Sequence, residues 1–345
     1  MVSIDISVII PIYNVEAYVE TCLHSVMEQG HSDFKVECII IDDCGQDKSM
    51  DGVYRTLENY SGDIEFKIIE HGNNQGLSAA RNTAIRVARG KYVTFLDSDD
   101  KLLPDALDGM FKLTTKYPEV DIIQGNIQLN KENKYLRSVL EISKEKLPEY
   151  IPNRQEAKHI LLSELPVTAW AKLIRRDFII SNDLYFIEGM VHEDDMWELC
   201  ASQYIETIAF FFPYVYYYNN DITNSITQKA DKTRSLLGRI SLISRAAKCY
   251  KEEPCIDYYD YLARRLDFIN KSEIWASVEN RKIVRRSISE MRSNIAKYNC
   301  PFPLRLAASY FALPNSIGSN RYILPVFRRF SGLLKRYYIR KLTNV

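Results

Sequence analysis

Tyr92-Val93-Thr94-Phe95-Leu96-Asp97-Ser98-Asp99-Asp100 runs from five strand-forming residues straight into three aspartates. The first part reads as a buried strand, and a carboxylate cluster at its end is a poor way to build a core. Like charges this close repel and raise one another's pKa unless a cation or hydrogen-bond donors neutralise them. Hard divalent cations such as Mg²⁺ favour oxygen ligands and often bind through one or two carboxylates plus a phosphate. The cluster therefore suggests a metal that itself holds a phosphate; the plain alternative is a solvated, Asp-rich turn.

Working upstream, strand-like and helical patterns alternate. Residues 7–10, 36–41, 64–69 and 92–96 read as strands, and residues 16–29, 51–60 and 76–89 have helical spacing, with Gly90 expected as a C-cap. The core of the second strand, Cys38-Ile39-Ile40-Ile41, does not alternate, as expected when both sheet faces are covered. A further helix is expected from Pro104 and a fifth strand from Asp121. This pattern implies an α/β fold with a mainly parallel sheet between helices. Ligands of such sheets bind outside the carboxyl ends of the strands. Pro11-Ile12-Tyr13-Asn14, Asp42-Asp43-Cys44-Gly45 and Asp97-Ser98-Asp99-Asp100 should therefore open onto one edge. Residues 127–153 resist assignment, a mixed region runs to about 220, and from Asp231 the chain reads as helices. The expected division is a catalytic domain over 1–226 and a helical region over 227–345.

Composition sets the class. The 345 residues are 46% apolar and 26% charged, with zero net charge, which is ordinary for a globular chain. The charge is unevenly spread: residues 291–345 hold ten Lys or Arg and no acid, so the first 290 carry −10. Seven scattered cysteines without C-x-x-C spacing argue for free thiols in a reducing compartment. The N-terminus does not read as a signal peptide, and the apolar stretch 208–218 is short for a membrane span and holds Pro213. A cytoplasmic location follows, with peripheral contact at the inner membrane as an option.

Four motifs in order now point one way. Ser7-Val8-Ile9-Ile10-Pro11-Ile12-Tyr13-Asn14-Val15-Glu16, Ile40-Ile41-Asp42-Asp43-Cys44, Asn74-Gln75-Gly76-Leu77-Ser78-Ala79-Ala80-Arg81-Asn82 and residues 90–100 together resemble the family 2 glycosyltransferases of the GT-A fold. Glu193-Asp194-Asp195-Met196-Trp197 resembles the acidic catalytic motif of that family. The resemblance is dense over residues 4–126 and thins by about 226. It departs at Cys44-Gly45-Gln46-Asp47, where many relatives carry Gly-Ser after the paired aspartates.

The resemblance implies an inverting transferase that uses a nucleotide-sugar, a UDP-sugar above all, with Mg²⁺ or Mn²⁺. Tyr13 would stack on the base beside Pro11, and Asp43 would accept from uracil N3–H, since a carboxylate only accepts. Glu16 would sit near the ribose or be only a first-turn acid. Arg81 suits either a diphosphate or an aspartate of the cluster, because a guanidinium binds two oxygens at once. Asp97 would contact the ribose, with Ser98 beside it, Asp99 would bind the metal, and Asp100 has no settled role. Asp194 would be the general base that takes the proton of the acceptor hydroxyl. Glu193 and Asp195 are weaker candidates for the acceptor, as are Trp170, which could stack on a sugar or pack in the core, and Lys172, which could pair with phosphate. His192 reads as structural or as a relay, and Tyr216-Tyr217-Tyr218-Asn219 as packing or as acceptor path.

In the tail, Val326, Phe327, Phe330, Leu333, Leu334 and Tyr337 share a helical face, with Arg328, Arg329, Lys335, Arg336 and Arg340 mostly opposite. Such a helix suits an anionic membrane surface or a packed position on the catalytic domain. No nucleic-acid motif accompanies the charge. The expected acceptor is a glycan or a lipid-linked glycan of a bacterial surface polysaccharide or lipopolysaccharide. The rivals are a non-catalytic nucleotide-sugar or glycan-binding module, and a sugar-phosphate nucleotidyltransferase. The latter needs a Gly-rich basic loop after the first strand, which Pro11-Ile12-Tyr13-Asn14 is not. A dinucleotide-dependent oxidoreductase lacks its G-x-G-x-x-G.

Overall fold

All seven residues of strand β1 (Ile6–Ile12) are buried, which needs cover on both sheet faces. The computed structural model describes residues 3–29, 33–222 and 232–249, with Tyr261 and Arg286 as single positions. Two compact units divide the chain at 224/225.

In the first unit, β1 lies between β2 (Val36–Asp42) and β4 (Tyr92–Phe95) and is parallel to both; β3 (Glu65–Glu70) continues the parallel run beside β2. Ile6, Val8 and Ile10 share one core with Val19, Leu23 and Val26 of α1 (Val19–Met27). Ile9 shares the opposite core with Ala80, Ala84 and Ile85 of α3 (Leu77–Val87). Successive residues of a strand point to opposite faces, so two apolar cores require an unbroken apolar run. Helix α2 (Ser49–Glu58) joins β2 to β3.

The second half adds β5 (Lys101–Leu102), α4 (Ala106–Lys116), β6 (Ile122–Leu129), α5 (Lys134–Leu140), β7 (Tyr150–Ile151), α6 (Arg154–Ser163), β8 (Lys172–Arg175), α7 (Arg176–Ser181), α8 (Glu193–Ala201) and β9 (Ile208–Tyr218). The nine-stranded sheet has the order β3-β2-β1-β4-β8-β6-β9-β5, with β7 beside β9. The mixed α/β sheet between helices is the expected class. Strand β8, absent from the sequence reading, is antiparallel to both β4 and β6 and interrupts the parallel run. Strand β9 pairs parallel with β6, but the register shifts between Gly125 and Ile127. Phe212 and Pro213 fall in that irregularity, where a residue without an N–H does least harm. The Asn126 amide fills the gap, donating to Ile142 O at 3.1 Å and Phe212 O at 3.2 Å. The offset sets which tyrosines of β9 arrive beside the loop after β4.

Two expected caps differ. Helix α3 ends at Val87 with Ala88 extended, so Gly90 is not its C-cap. Gly90 instead lets the chain pass β1: a Cβ there would lie 2.5 Å from Ser7 N. Its N–H donates to Ser7 Oγ at 2.9 Å, and Ser7 Oγ donates to the buried Glu37 at 2.6 Å. Helix α4 begins at Ala106, after Asp105 in a left-handed conformation, rather than at Pro104.

In the second unit the described helix is α9 (Lys232–Cys249), which has five basic residues and no acid. The basic segment 326–342 lies outside the described residues. No helix among the described residues is long and apolar enough to cross a membrane. Cys22, Cys38, Cys44 and Cys200 are free thiols.

The Gly90 contact yields a direct test. Gly90→Ala should lower stability by about 2 kcal/mol, because its methyl meets the backbone of Ser7 and Ile6 as well as Ser7 Oγ, and the backbone cannot swing aside. Urea denaturation measures this, and an unchanged midpoint would show that β1 can yield.

Candidate active site

Arg81 lies in the middle of α3 and retains 1% of its surface exposed. A charge buried so deeply needs partners. Its Nη2 donates to Asp97 at 3.0 Å, and its Nη1 donates to Glu193 at 3.1 Å and Asp194 at 2.9 Å. Phe95 and Phe186 flank the guanidinium, with ring centres 5.7 and 5.1 Å from Cζ. Burial works against the charge, but Asp194, Asp97 and Glu193 outweigh it and hold Arg81 above its usual pKa. One side chain thus joins the loop after β4 to the first turn of α8, which are about a hundred residues apart in sequence. Of its two expected partners, the guanidinium takes the carboxylates.

The aspartate loop is a turn closed by Asp100 N–H donating to Asp97 O at 3.0 Å. Asp97 is partly exposed, while Ser98 and Asp100 are buried. Asp100 accepts from Tyr216 Oη at 2.7 Å and from Asn219 N–H at 2.7 Å. The same Tyr216 oxygen accepts the Asp97 N–H at 3.2 Å. The end of β9 therefore clamps the loop, and Asp100, whose role the sequence left open, is the handle. Tyr216 is packing rather than acceptor path: it is fully buried and stacks on Trp170 with ring centres 4.5 Å apart. Burial, then Asp97 and Asp99, push the Asp100 carboxyl up to about 8. Burial, then Asp97, push Asp99 up to about 6.

Asp194 and Glu193 open α8 behind His192, which is left-handed at φ 64°. Burial raises the Asp194 pKa and Arg81 opposes it. Burial, then Asp194, push Glu193 up to about 7, again with Arg81 opposing. The second oxygen of Asp194 accepts the Ala169 N–H at 3.2 Å. Asp195, expected near the acceptor, is buried on α8.

Two acceptor candidates sit elsewhere. Lys172 is fully buried, and its Nζ donates to Thr168 O at 2.6 Å, Pro166 O at 2.8 Å and Thr168 Oγ1 at 3.3 Å. It shapes the 166–168 loop instead of meeting a phosphate, and burial lowers it to about 8. Trp170 packs in the core, 7% exposed, against Tyr216 and Tyr218.

On the neighbouring strands, Tyr13 follows the buried Pro11 and is 44% exposed, free to offer a ring face. Asn14 and Cys44 turn the two loops with positive φ, 55° and 60°. Asn14 Oδ1 accepts Gln46 N–H at 2.7 Å, which fits the departing Cys44–Asp47 loop against β1's exit. Glu16 precedes α1 and accepts the Lys48 N–H at 3.2 Å, so it is not a first-turn acid of that helix. Asp43 is nearly buried. Its Oδ1 meets His71 Nδ1 at 2.7 Å and Gln75 N–H at 2.8 Å, and its Oδ2 accepts Gly76 N–H at 2.8 Å. His71 escaped the sequence reading; its position at the end of β3, on the same sheet edge, was the available signal.

A divalent cation fits the aspartate loop as a site completed by its ligand. No group of three or more His, Cys, Asp or Glu among the described residues could hold a metal alone. Asp100 is committed to Tyr216 and Asn219 and Asp97 pairs with Arg81, so Asp99 is the carboxylate that would hold such an ion. That is the donor set of Mg²⁺-type ions that take a carboxylate and fill their shell from phosphate and water.

Comparison with known proteins bears on the family and the fold. The family model described as Glycosyl transferase family 2 matches residues 7–181. The putative glycosyltransferase EpsH of Bacillus subtilis is 30% identical over 231 residues, 66% of this chain and 64% of that protein. The match thus spans less than two thirds of that relative. In fold, the chain is similar to S. aureus TarS 1-349 in complex with UDP-GlcNAc (TM-score 0.68, 18% identity, covering 85% of this chain and 82% of that one). It is also similar to the mannosyltransferase PcManGT from Pyrobaculum calidifontis in complex with GDP-Man and Mn²⁺ (TM-score 0.51, 14% identity, covering 88% and 85%).

Arg81→Met should cost about 3 kcal/mol, because removing one partner strands the facing carboxylates. The deficit should grow with pH. Glu193 titrates near 7 in the fold but near the ordinary carboxylate value when unfolded. Its contribution is therefore present at acid pH and lost as pH rises toward 7, more steeply once Arg81 is gone. Denaturation at pH 5 and pH 8 reads this, and equal deficits would contradict it.

Proposed function

The chain belongs to glycosyl transferase family 2, and from that premise we propose that it moves a sugar from a UDP-sugar to a hydroxyl of a glycan or lipid-linked glycan, with inversion. The observation that carries this reading is the pair of contacts Arg81 makes, 3.0 Å to Asp97 and 2.9 Å to Asp194. A single displacement needs a stabilised leaving group and one base. The two acidic motifs offer one each, and the shared guanidinium brings them into one site.

On the donor side, Tyr13 stacks on the base, Asp43 accepts from uracil N3–H, and Asp97 accepts from the ribose hydroxyls, with Glu16 and Ser98 at the margin. Mg²⁺ or Mn²⁺ bound at Asp99 would neutralise the charge developing on the departing diphosphate. On the acceptor side, Asp194 takes the hydroxyl proton as that oxygen attacks the anomeric carbon. Burial makes the carboxylate a stronger base, while Arg81 keeps it ionised and the Ala169 N–H fixes its second oxygen. Glu193, on the same guanidinium nitrogen, helps to orient the acceptor.

Asp194→Asn should reduce kcat by about 10²–10⁴ while UDP still raises the melting temperature in the presence of Mg²⁺ or Mn²⁺. Undiminished transfer would remove Asp194 as the base, and no thermal shift with UDP and metal in the unaltered chain would sink the donor assignment.

The proposed setting is polysaccharide or lipopolysaccharide assembly on the cytoplasmic face of the inner membrane. Support for peripheral attachment comes from charge: residues 291–345 carry ten basic and no acidic residues. Sedimentation with phosphatidylglycerol vesicles, and not with phosphatidylcholine vesicles, is expected at physiological salt; equal partition would refute attachment through charge.

A further inference from the structure

His71 stands at the end of β3 with both ring nitrogens engaged. Nδ1 meets Asp43 Oδ1 at 2.7 Å, and Nε2 meets Thr83 Oγ1 at 3.0 Å. Its side chain is 5% exposed, and its backbone N–H donates to Asp42 O at 2.9 Å, extending the β2–β3 pairing by one residue. The imidazole is therefore held from three sides: by its own strand, by β2 and by α3. The tautomer that meets both side-chain partners carries its proton on Nδ1, which donates to Asp43, and accepts the Thr83 hydroxyl proton at Nε2.

An ionised carboxylate has about four acceptor sites. At Asp43, Oδ1 receives His71 and the Gln75 N–H, and Oδ2 receives the Gly76 N–H. Gly76 is held at φ 89°, a conformation that favours glycine, and starts the helix that also carries Thr83. One acceptor site is left, on Oδ2. A carboxylate with a single site in a fixed direction selects a ring N–H donor. It rejects a ring nitrogen that itself accepts, because two lone pairs would then face each other.

We propose that His71 is a positioning residue for base recognition: through Nδ1 it occupies and orients Asp43 so that the remaining acceptor site of the carboxylate selects an imide N–H. The inference rests on the reading of Asp43 as the nucleobase acceptor. It adds that discrimination belongs to the node of His71, Thr83, Gln75 and Gly76 around the carboxylate. In His71→Leu, Asp43 loses one of its two Oδ1 donors and the carboxylate can turn, so affinity for uracil and exclusion of cytosine fall together.

The test uses the 345-residue chain with Mn²⁺ and measures Kd for UDP, CDP and 3-methyluridine diphosphate by calorimetry. The unaltered chain should bind UDP at least tenfold more tightly than either analogue. His71→Leu should lose about tenfold in UDP affinity and bring the CDP/UDP ratio to within about threefold of one. His71→Asn keeps an N–H close to the Nδ1 position and should restore most of the ratio. A purely structural histidine would lower the melting temperature, or weaken all three ligands equally, with the ratio intact; that result overturns the proposal. Should His71→Leu fail to fold, the near-isosteric Thr83→Val decides. A fall of about threefold in the ratio supports the inference, and an unchanged ratio overturns it. No preference for UDP over CDP in the unaltered chain overturns the nucleobase reading of Asp43, and this inference with it.

Discussion

A guanidinium sealed inside a protein must be matched by acceptors, and Arg81 is matched by carboxylates from two distant segments. The rest of the site follows from that requirement. Asp97 is drawn toward α3 from the loop after β4, and the first turn of α8 is drawn in from the other side. Without the shared cation, Asp97, Glu193 and Asp194 would repel one another across a partly desolvated space. With it, the acidic ends of two separate elements stand together at the mouth of the sheet, where each loop alone would have turned toward water. The aromatic rings of Phe95 and Phe186 close off the guanidinium and leave the carboxylates as its strong partners.

The surrounding loops are held by the same economy of hydrogen bonds. Asp100 ties the aspartate turn to β9 through Tyr216 and Asn219, and Asp43 ties β2 to β3 and α3. Several residues along these loops adopt positive φ without being glycine: Asn14, Cys44, Ala171 and His192. Such conformations are retained where surrounding contacts over-determine them, and they gather at functional sites. Asn14, Cys44 and His192 lie beside Tyr13, Asp43 and Glu193, so backbone strain and the candidate chemistry share these short segments, while Ala171 lies beside the structural Lys172.

Much of this was readable in advance. The parallel half of the sheet announced itself through unbroken apolar runs, because burial on both faces removes the alternation that a one-sided strand would show. That the exits of β1, β2 and β4 share one edge followed from parallel topology alone. Less legible were β5, β7 and β8, which are two to four residues long and owe their existence to partners far along the chain. Lys172 and Trp170 were ambiguous for a related reason. A lysine and a tryptophan suit a phosphate and a sugar by chemistry, but the fold surrounds one with backbone oxygens and the other with tyrosines.

The amino-acid sequence by itself determined the α/β class, the edge on which ligands gather, and the two acidic motifs, because apolar periodicity and residue chemistry are local properties. Tertiary structure decided which groups share partners. It gave Arg81 to the carboxylates, Asp100 to Tyr216, and Asp43 to His71, since each pairing spans 16 residues or more and joins separate elements. The reason is physical: burial is what compels a polar group to find a partner, and only the folded chain specifies which groups are buried together.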